Sequence, residues 1–341
     1  MVKDSKLNPL QRLFNLLKLE SQDIISIYVY AAFTGLISLS LPIGVQAIIN
    51  LIQGGEVSTS WIILVIIVIG GVLITGLLNI MQLRISENLQ QKIFTKSAFD
   101  FSYRFPKMKG IGNSEYMPEL ANRFFDTLSV QKGLSKIILD FSTSSLQIIF
   151  GLILLSFYHP FFFAFSMALL IIAFLIFRFT FPAGIETSLK ESKYKYQVAH
   201  WIEEIAKSKD TFKLAGKTNL HLKKTDGLVS GYIDSRNKHF RTLLIQYINL
   251  VVFKVLIISG LLIIGGILVI NQQMNIGQFV ASEIVIITVI SSVEKLITSM
   301  DSIYDVLTSV EKIGNITDID IENDDKESLI EEDETCLNVT M

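Results

Sequence analysis

Six stretches, approximately 24–52, 61–83, 137–157, 161–181, 243–270 and 276–298, stay apolar for the roughly 20 residues that a helix needs to cross a bilayer core. A chain half of whose residues are apolar could also be a large soluble domain. The unbroken length of these runs decides for a membrane protein, all-α, with six transmembrane helices. Six crossings return the chain to its starting side.

Charge assigns the sides. Of the 30 lysines and arginines, none falls in the short connections 54–60, 157–161 and 271–276. Four precede residue 23, nine lie in 84–136, thirteen in 178–241 and three after 294, and Lys254 alone sits within an apolar run. Basic residues mark cytoplasmic loops, so both termini and two long excursions are expected in the cytoplasm.

The excursions are too long to be ordinary loops. Ile85, Leu89 and Ile93 continue the second span at i, i+4, i+8, and Trp201, Ile205, Ser208 and Phe212 continue the fourth. A helix from Trp61 to Phe105 would be about 68 Å long at 1.5 Å per residue, with about half of it beyond the bilayer. Pro106, Gly110 and Gly112 would end it, and a return helix would start near Tyr116 after caps at Asn113 or Ser114. The second excursion has the same plan: helix to about Ala215, break at Gly216, a short crossing segment, and return from near Gly227. Pro182 and Gly184 are placed to bend its outgoing arm.

Residues 1–22 flank this core as an amphipathic helix expected on the inner membrane surface, with Lys3, Lys6, Arg12 and Lys18 among Leu10, Leu13, Phe14, Leu16 and Leu17. The core proper is 23–310. Residues 311–341 hold eleven acidic side chains against two lysines and read as a solvated linker. Its end, with Leu337, Val339 and Met341 alternating with polar residues, takes on the period of a strand.

Several chemistries find no support. A net charge of −2 without a basic patch argues against nucleic acid. The single cysteine, Cys336, excludes an intramolecular disulfide and a cysteine-rich metal site. His159, His200, His221 and His239 are scattered without metal-ligand spacing, and no Gly-x-Ser-x-Gly elbow is present. Gly216-Lys217-Thr218 lacks the glycine five residues upstream and the preceding strand that a phosphate loop needs. Asn315-Ile316-Thr317 and Asn338-Val339-Thr340 fit the glycosylation pattern but fall on the cytoplasmic side. No catalytic site, metal or cofactor is therefore expected within the chain.

Polar residues inside the spans are the candidates for a pathway. Lys254 and Glu283 are charged at membrane depth, where exposure to lipid costs a few kcal/mol or more, so each lines an aqueous route or belongs to a structural pair. Gln46, Asn50, Asn79, Gln82 and Gln147 either line a cavity or hydrogen-bond between helices.

In its layout the chain resembles the transmembrane domain of a type I ABC exporter across residues 8–341. Lys109-Gly110-Ile111-Gly112-Asn113-Ser114-Glu115-Tyr116-Met117-Pro118-Glu119-Leu120-Ala121-Asn122-Arg123 is similar to the family's first coupling segment and following arm. Glu203-Glu204-Ile205-Ala206-Lys207-Ser208-Lys209-Asp210-Thr211-Phe212-Lys213-Leu214-Ala215-Gly216 is similar to the approach to the second. The resemblance implies two helical hairpins ending in transverse coupling helices, one at Gly110 to Tyr116 and the other at Gly216, Lys217, Thr218, Asn219, Leu220, His221 and Leu222. It further implies a second transmembrane half, homodimeric or heterodimeric, surrounding lipid, and a bacterial inner membrane location. ATP and Mg would bind a nucleotide-binding domain that the family starts near Thr335–Met341, so the ATPase is expected as a downstream continuation or a separate polypeptide. Peptide or protein cargo is the preference among substrates, with lipids or amphipathic drugs open. An ATP-independent channel or scaffold, or a membrane-bound enzyme, is the rival reading.

Overall fold

The computed structural model describes residues 9–55, 59–109, 117–216, 218–319 and 321. The described residues form eleven α-helices: α1 (Pro9–Leu19), α2 (Ser21–Ser38), α3 (Ser40–Gln53), α4 (Thr59–Arg104), α5 (Met117–Asn122), α6 (Asp126–Tyr158), α7 (Pro160–Lys207), α8 (Lys209–Leu214), α9 (Leu220–Ile270), α10 (Ile276–Thr298) and α11 (Met300–Thr317). No strand forms among the described residues, and one isolated antiparallel bridge joins Met108 to Ile321.

Among the described residues six helical runs are long and apolar enough to cross a membrane, and they contain the six apolar stretches. The first divides into α2 and α3 at Leu39, three residues before Pro42, which has no N–H to give the preceding turn. Pro182 causes no such division, because α7 runs unbroken through it. With 46 residues, α4 is about 69 Å long at 1.5 Å per residue, and α7 and α9 are longer still.

Two of the short turns are closed by local chemistry. His159 Nδ1 accepts the Phe161 N–H at 3.1 Å and Pro160 starts α7. Asn275 and Gln278 exchange side-chain and backbone hydrogen bonds of 2.7 and 3.0 Å, a capping box that starts α10.

Packing follows the small residues. Gly71 leaves room for Ser40 and Gly277 for Asn50, so α3 approaches both α4 and α10 more closely than any side chain would permit. The main apolar core joins α6, α7, α9 and α10 around Leu155, Phe162, Leu250, Ile257 and Ile286. A second, on the expected cytoplasmic side, joins α2, α4, α6 and α11 around Leu89, Leu134 and Val306.

Three boundaries shift from the sequence expectation. α11 extends seven residues past 310, because Ile313 and Ile316 continue the apolar stripe of Val306 and Val310, and Ile316 is fully buried. α9 starts at Leu220, not near Gly227; Gly227 is tolerated inside the helix, and Thr218 Oγ1 receives the Leu220 N–H at 3.2 Å. α1 does not lie on the surface alone, since Arg12 is buried against α11, where its guanidinium passes over Gly314 to meet Asp318. Residues 322–341, which include the strand-like end, lie outside the described residues.

Candidate functional site

At membrane depth the most polar feature is an ion pair. Lys254 Nζ of α9 lies 2.5 Å from Glu294 Oε2 of α10, with side chains 28% and 34% exposed. The two helices are antiparallel neighbours across the 271–275 turn. Lys254 is sixteen residues before Ile270 and Glu294 eighteen after Ile276, hence about 24 and 27 Å from that turn at helical rise. That arithmetic was available in the sequence, where Glu294 was overlooked because it sits near the end of its apolar run.

Glu283 does not join this pair; it is half-buried in α10 and bonded to no described residue. Gln82 is a structural link, buried in α4, donating to Thr34 Oγ1 of α2 and accepting from Thr143 Oγ1 of α6, both at 3.2 Å. Gln147 likewise accepts from Ser292 Oγ of α10 at 2.9 Å. Gln46 and Asn50 border the close approach of α3 to Gly277, with Asn50 exposed, and Asn79 is exposed on α4. The predicted polar set is thus dispersed over several helix faces instead of gathered around one cavity.

The two far ends of the long helices form the second candidate region. The segment Gly110, Ile111, Gly112, Asn113, Ser114, Glu115 and Tyr116 lies outside the described residues. Its flanks are held firmly: Phe124 makes edge contacts with Phe94 and Phe101 at 5.5 and 5.6 Å, and Phe105 meets Phe101 at 5.6 Å. Arg104 Nη1 donates to Thr317 O at 2.9 Å, tying the end of α4 to the end of α11.

At the other end Lys217 lies outside the described residues, and the rest of the predicted segment is visible. Gly216 adopts φ +73°, a conformation that suits glycine, and terminates α8. Asn219 precedes α9, and Leu220, His221 and Leu222 form its first turn. Trp201 braces the tip, its Nε1–H donating to Thr225 Oγ1 at 3.1 Å with Lys224 Nζ 3.7 Å above its ring. Phe212 packs edge-on against both Trp201 and His221. Beyond this braced knot, Leu214, Leu220 and Leu222 are 87%, 63% and 59% exposed. Leu220 stands about 35 Å from residue 243, where the apolar run begins, at helical rise.

A node that sequence reasoning missed joins α7, α9 and α11. His239, 2% exposed, places Nδ1 2.9 Å from Thr187 Oγ1 and Nε2 3.5 Å from Asp301 Oδ1, and its ring stands edge-on to Tyr304. Tyr304 accepts from Gln246 Nε2 at 2.7 Å and fills the space over Gly184. The Asp301 carboxyl, beyond the apolar run, is held below the ordinary carboxylate range by the His239 contact. His239 carried no sequence signal, because its partners come from two other helices, α7 and α11. Among the described residues no group of histidine, cysteine or acidic side chains could hold a metal ion.

Six helical runs long and apolar enough to cross a membrane, five of them 39 to 51 residues long, define an α-helical membrane domain among the described residues. Residues 24–293 match the ABC transporter transmembrane region, and the chain belongs to that family. No curated protein matches it. Membership carries with it, in general terms, an ABC ATPase partner and a second transmembrane half.

Proposed function

We propose that this chain is the transmembrane part of an ATP-driven exporter working by alternating access in a bacterial inner membrane, with both termini cytoplasmic. The observation that carries the reading is the tip beyond Trp201. Leu214, Leu220 and Leu222, each exposed at this tip, about 35 Å from the apolar run and among Lys209, Lys213, Lys223 and Lys224, are side chains that water alone does not favour and that a protein partner would cover. The partner is a nucleotide-binding domain, fused or separate, that carries ATP and Mg. Closure of two such domains pushes on 110–116 and 216–222, and the continuous helices α4, α7 and α9 carry the displacement to the spans. A second copy or a related chain completes the pathway.

Lys254 and Glu294 are the residues proposed to face that pathway, with Glu283 nearer the outside. Half-exposed charge at membrane depth requires water or a partner charge. Peptide or protein is the preferred cargo, with lipids or amphipathic drugs the alternative.

The test is to purify the protein from membranes together with its cassette ATPase and measure vanadate-sensitive hydrolysis. Leu214→Asp with Leu222→Asp is expected to abolish ATPase association and reduce hydrolysis at least tenfold while the membrane domain remains folded. Unchanged association in that variant, or no hydrolysis with any cassette partner and folded protein, would overturn the proposal.

A further inference from the structure

Beneath α1 lies a cavity of ≈ 380 Å³ that nothing in the exporter mechanism uses. Its floor is Leu89 and Ile93 of α4 with Val130 and Leu134 of α6, all buried, and its roof is Leu16 and Leu17 of α1. The upper limit is Ile24, where the first apolar stretch begins. From Leu89 down to Phe101 the cavity follows α4 for about 18 Å at helical rise. A cleft with such walls has little to offer water and takes an apolar occupant. The volume is at the small end of ligand sites, which run from about 300 to 1,000 Å³.

Charges stand at the mouth and are unequally engaged. Arg12 is held by both oxygens of Asp318, at 3.1 and 2.5 Å. Asp100 is held by Arg104 at 2.8 Å. Lys96 has a looser partner, Glu20 at 3.9 Å, and its side chain is 56% exposed. Lys96 lies one helical turn beyond Ile93, so a negative group bound there leaves an attached chain running up over Ile93 and Leu89 toward the bilayer. That is the orientation of an inner-leaflet lipid, tail toward the membrane and head toward the cytoplasm.

We propose that this cavity binds a single-chain anionic amphiphile, its acyl tail against Leu16, Leu17, Ile24 and Ile93 and its carboxylate or phosphate on Lys96. An occupant there bridges α1 to α4 and α6, so it also sets how firmly the N-terminal helix is seated. The inference is independent of the ATP-driven reading, and its test measures binding alone.

The purified full chain is placed in phosphatidylcholine nanodiscs and irradiated with photoactivatable diazirine palmitate, and the labelled peptides are mapped. Label is expected in α1 and in 89–101 of α4, above the level at Ile258 and Ile263 on the exposed face of α9. Ile93→Trp, which fills the cavity, should lower it at least tenfold, and Val130→Phe serves the same purpose if the first variant fails to fold. Lys96→Gln should lower palmitate labelling several-fold and leave a neutral hexadecanol probe unchanged. Labelling by palmitate but not by a lysophosphatidylglycerol probe identifies free fatty acid as the source, and labelling by both identifies the shared acyl-anion chemistry. Labelling unaffected by all three substitutions, no excess over α9, or equal labelling by a diacyl phospholipid probe overturns the proposal.

Discussion

The outgoing arm of the first stem, α4, buries Leu89, Ile93 and Phe101 along with Ser86 beyond the apolar run, whereas that of the second, α7, buries Ser188, Ser192 and Trp201. Around the first stem α2, α6 and α11 close an apolar cluster. The second pairs chiefly with its own return arm α9 and meets the rest of the molecule through polar contacts: Ser188 with Thr308, Tyr196 with Asp126, His239 with Asp301. Apolar burial is non-directional and adds up with area, while a hydrogen bond is lost once its geometry is broken. The first stem is therefore built into the bundle, and the second is attached along a more polar seam.

The contrast is most exposed to failure at Leu89. Leu89→Ala should cost about 2–5 kcal/mol, seen as a large drop in the thermal midpoint of the detergent-solubilised protein, because the side chain is fully buried. A cost below about 1 kcal/mol would remove the basis for calling the first stem fixed. Next in size is Gly184→Val: a Cβ there would lie 2.1 Å from the Tyr304 ring, and overpacking should cost about 1–3 kcal/mol. Proteolysis should then cut preferentially in the second stem while the first stays protected.

The seam itself should yield a pH-dependent signal. Asp301 has a lowered folded pKa, so its contact with His239 contributes stability above the carboxyl's unfolded value, near 4, and loses it as pH falls through the folded value. The difference in thermal midpoint between the native protein and Asp301→Asn should accordingly be present at pH 6 and shrink below about pH 4. A difference that stays constant with pH would show that the His239 contact does not hold the seam. The smallest effect is expected for Tyr196→Phe. Its hydroxyl donates to Asp126, whose carboxyl burial pushes up, and the net loss should be about 1 kcal/mol. Coupling of ATP hydrolysis to substrate should change more than stability does; the reverse would make the second stem as structural as the first.

Much of this was legible in the chain. Apolar runs of bilayer length have one stable solution each, so the six crossings were readable without any contact information. Periodicity through Ile85, Leu89 and Ile93 extended α4 beyond the bilayer, because a helix is local and its pattern is written in consecutive turns. The site residues were harder. Gln82 and Lys254 look alike as polar residues in apolar spans, and their difference lies in what stands opposite: Thr34 and Thr143 for one, Glu294 for the other. His239 was passed over among four scattered histidines, and Arg12 was taken for a surface cation until its place over Gly314 was seen.

The sequence by itself determined which segments enter the membrane, the side expected for the basic excursions and the length of the helices, since all three depend on hydrophobicity, charge and local periodicity. Only the tertiary structure decided which faces meet. That choice depends on where Gly71, Gly184 and Gly277 let helices come close, and on partners brought together from distant parts of the chain. The cavity beneath α1 belongs to this second kind of knowledge: four helices must pack before Leu89, Leu134, Leu16 and Val310 enclose one space.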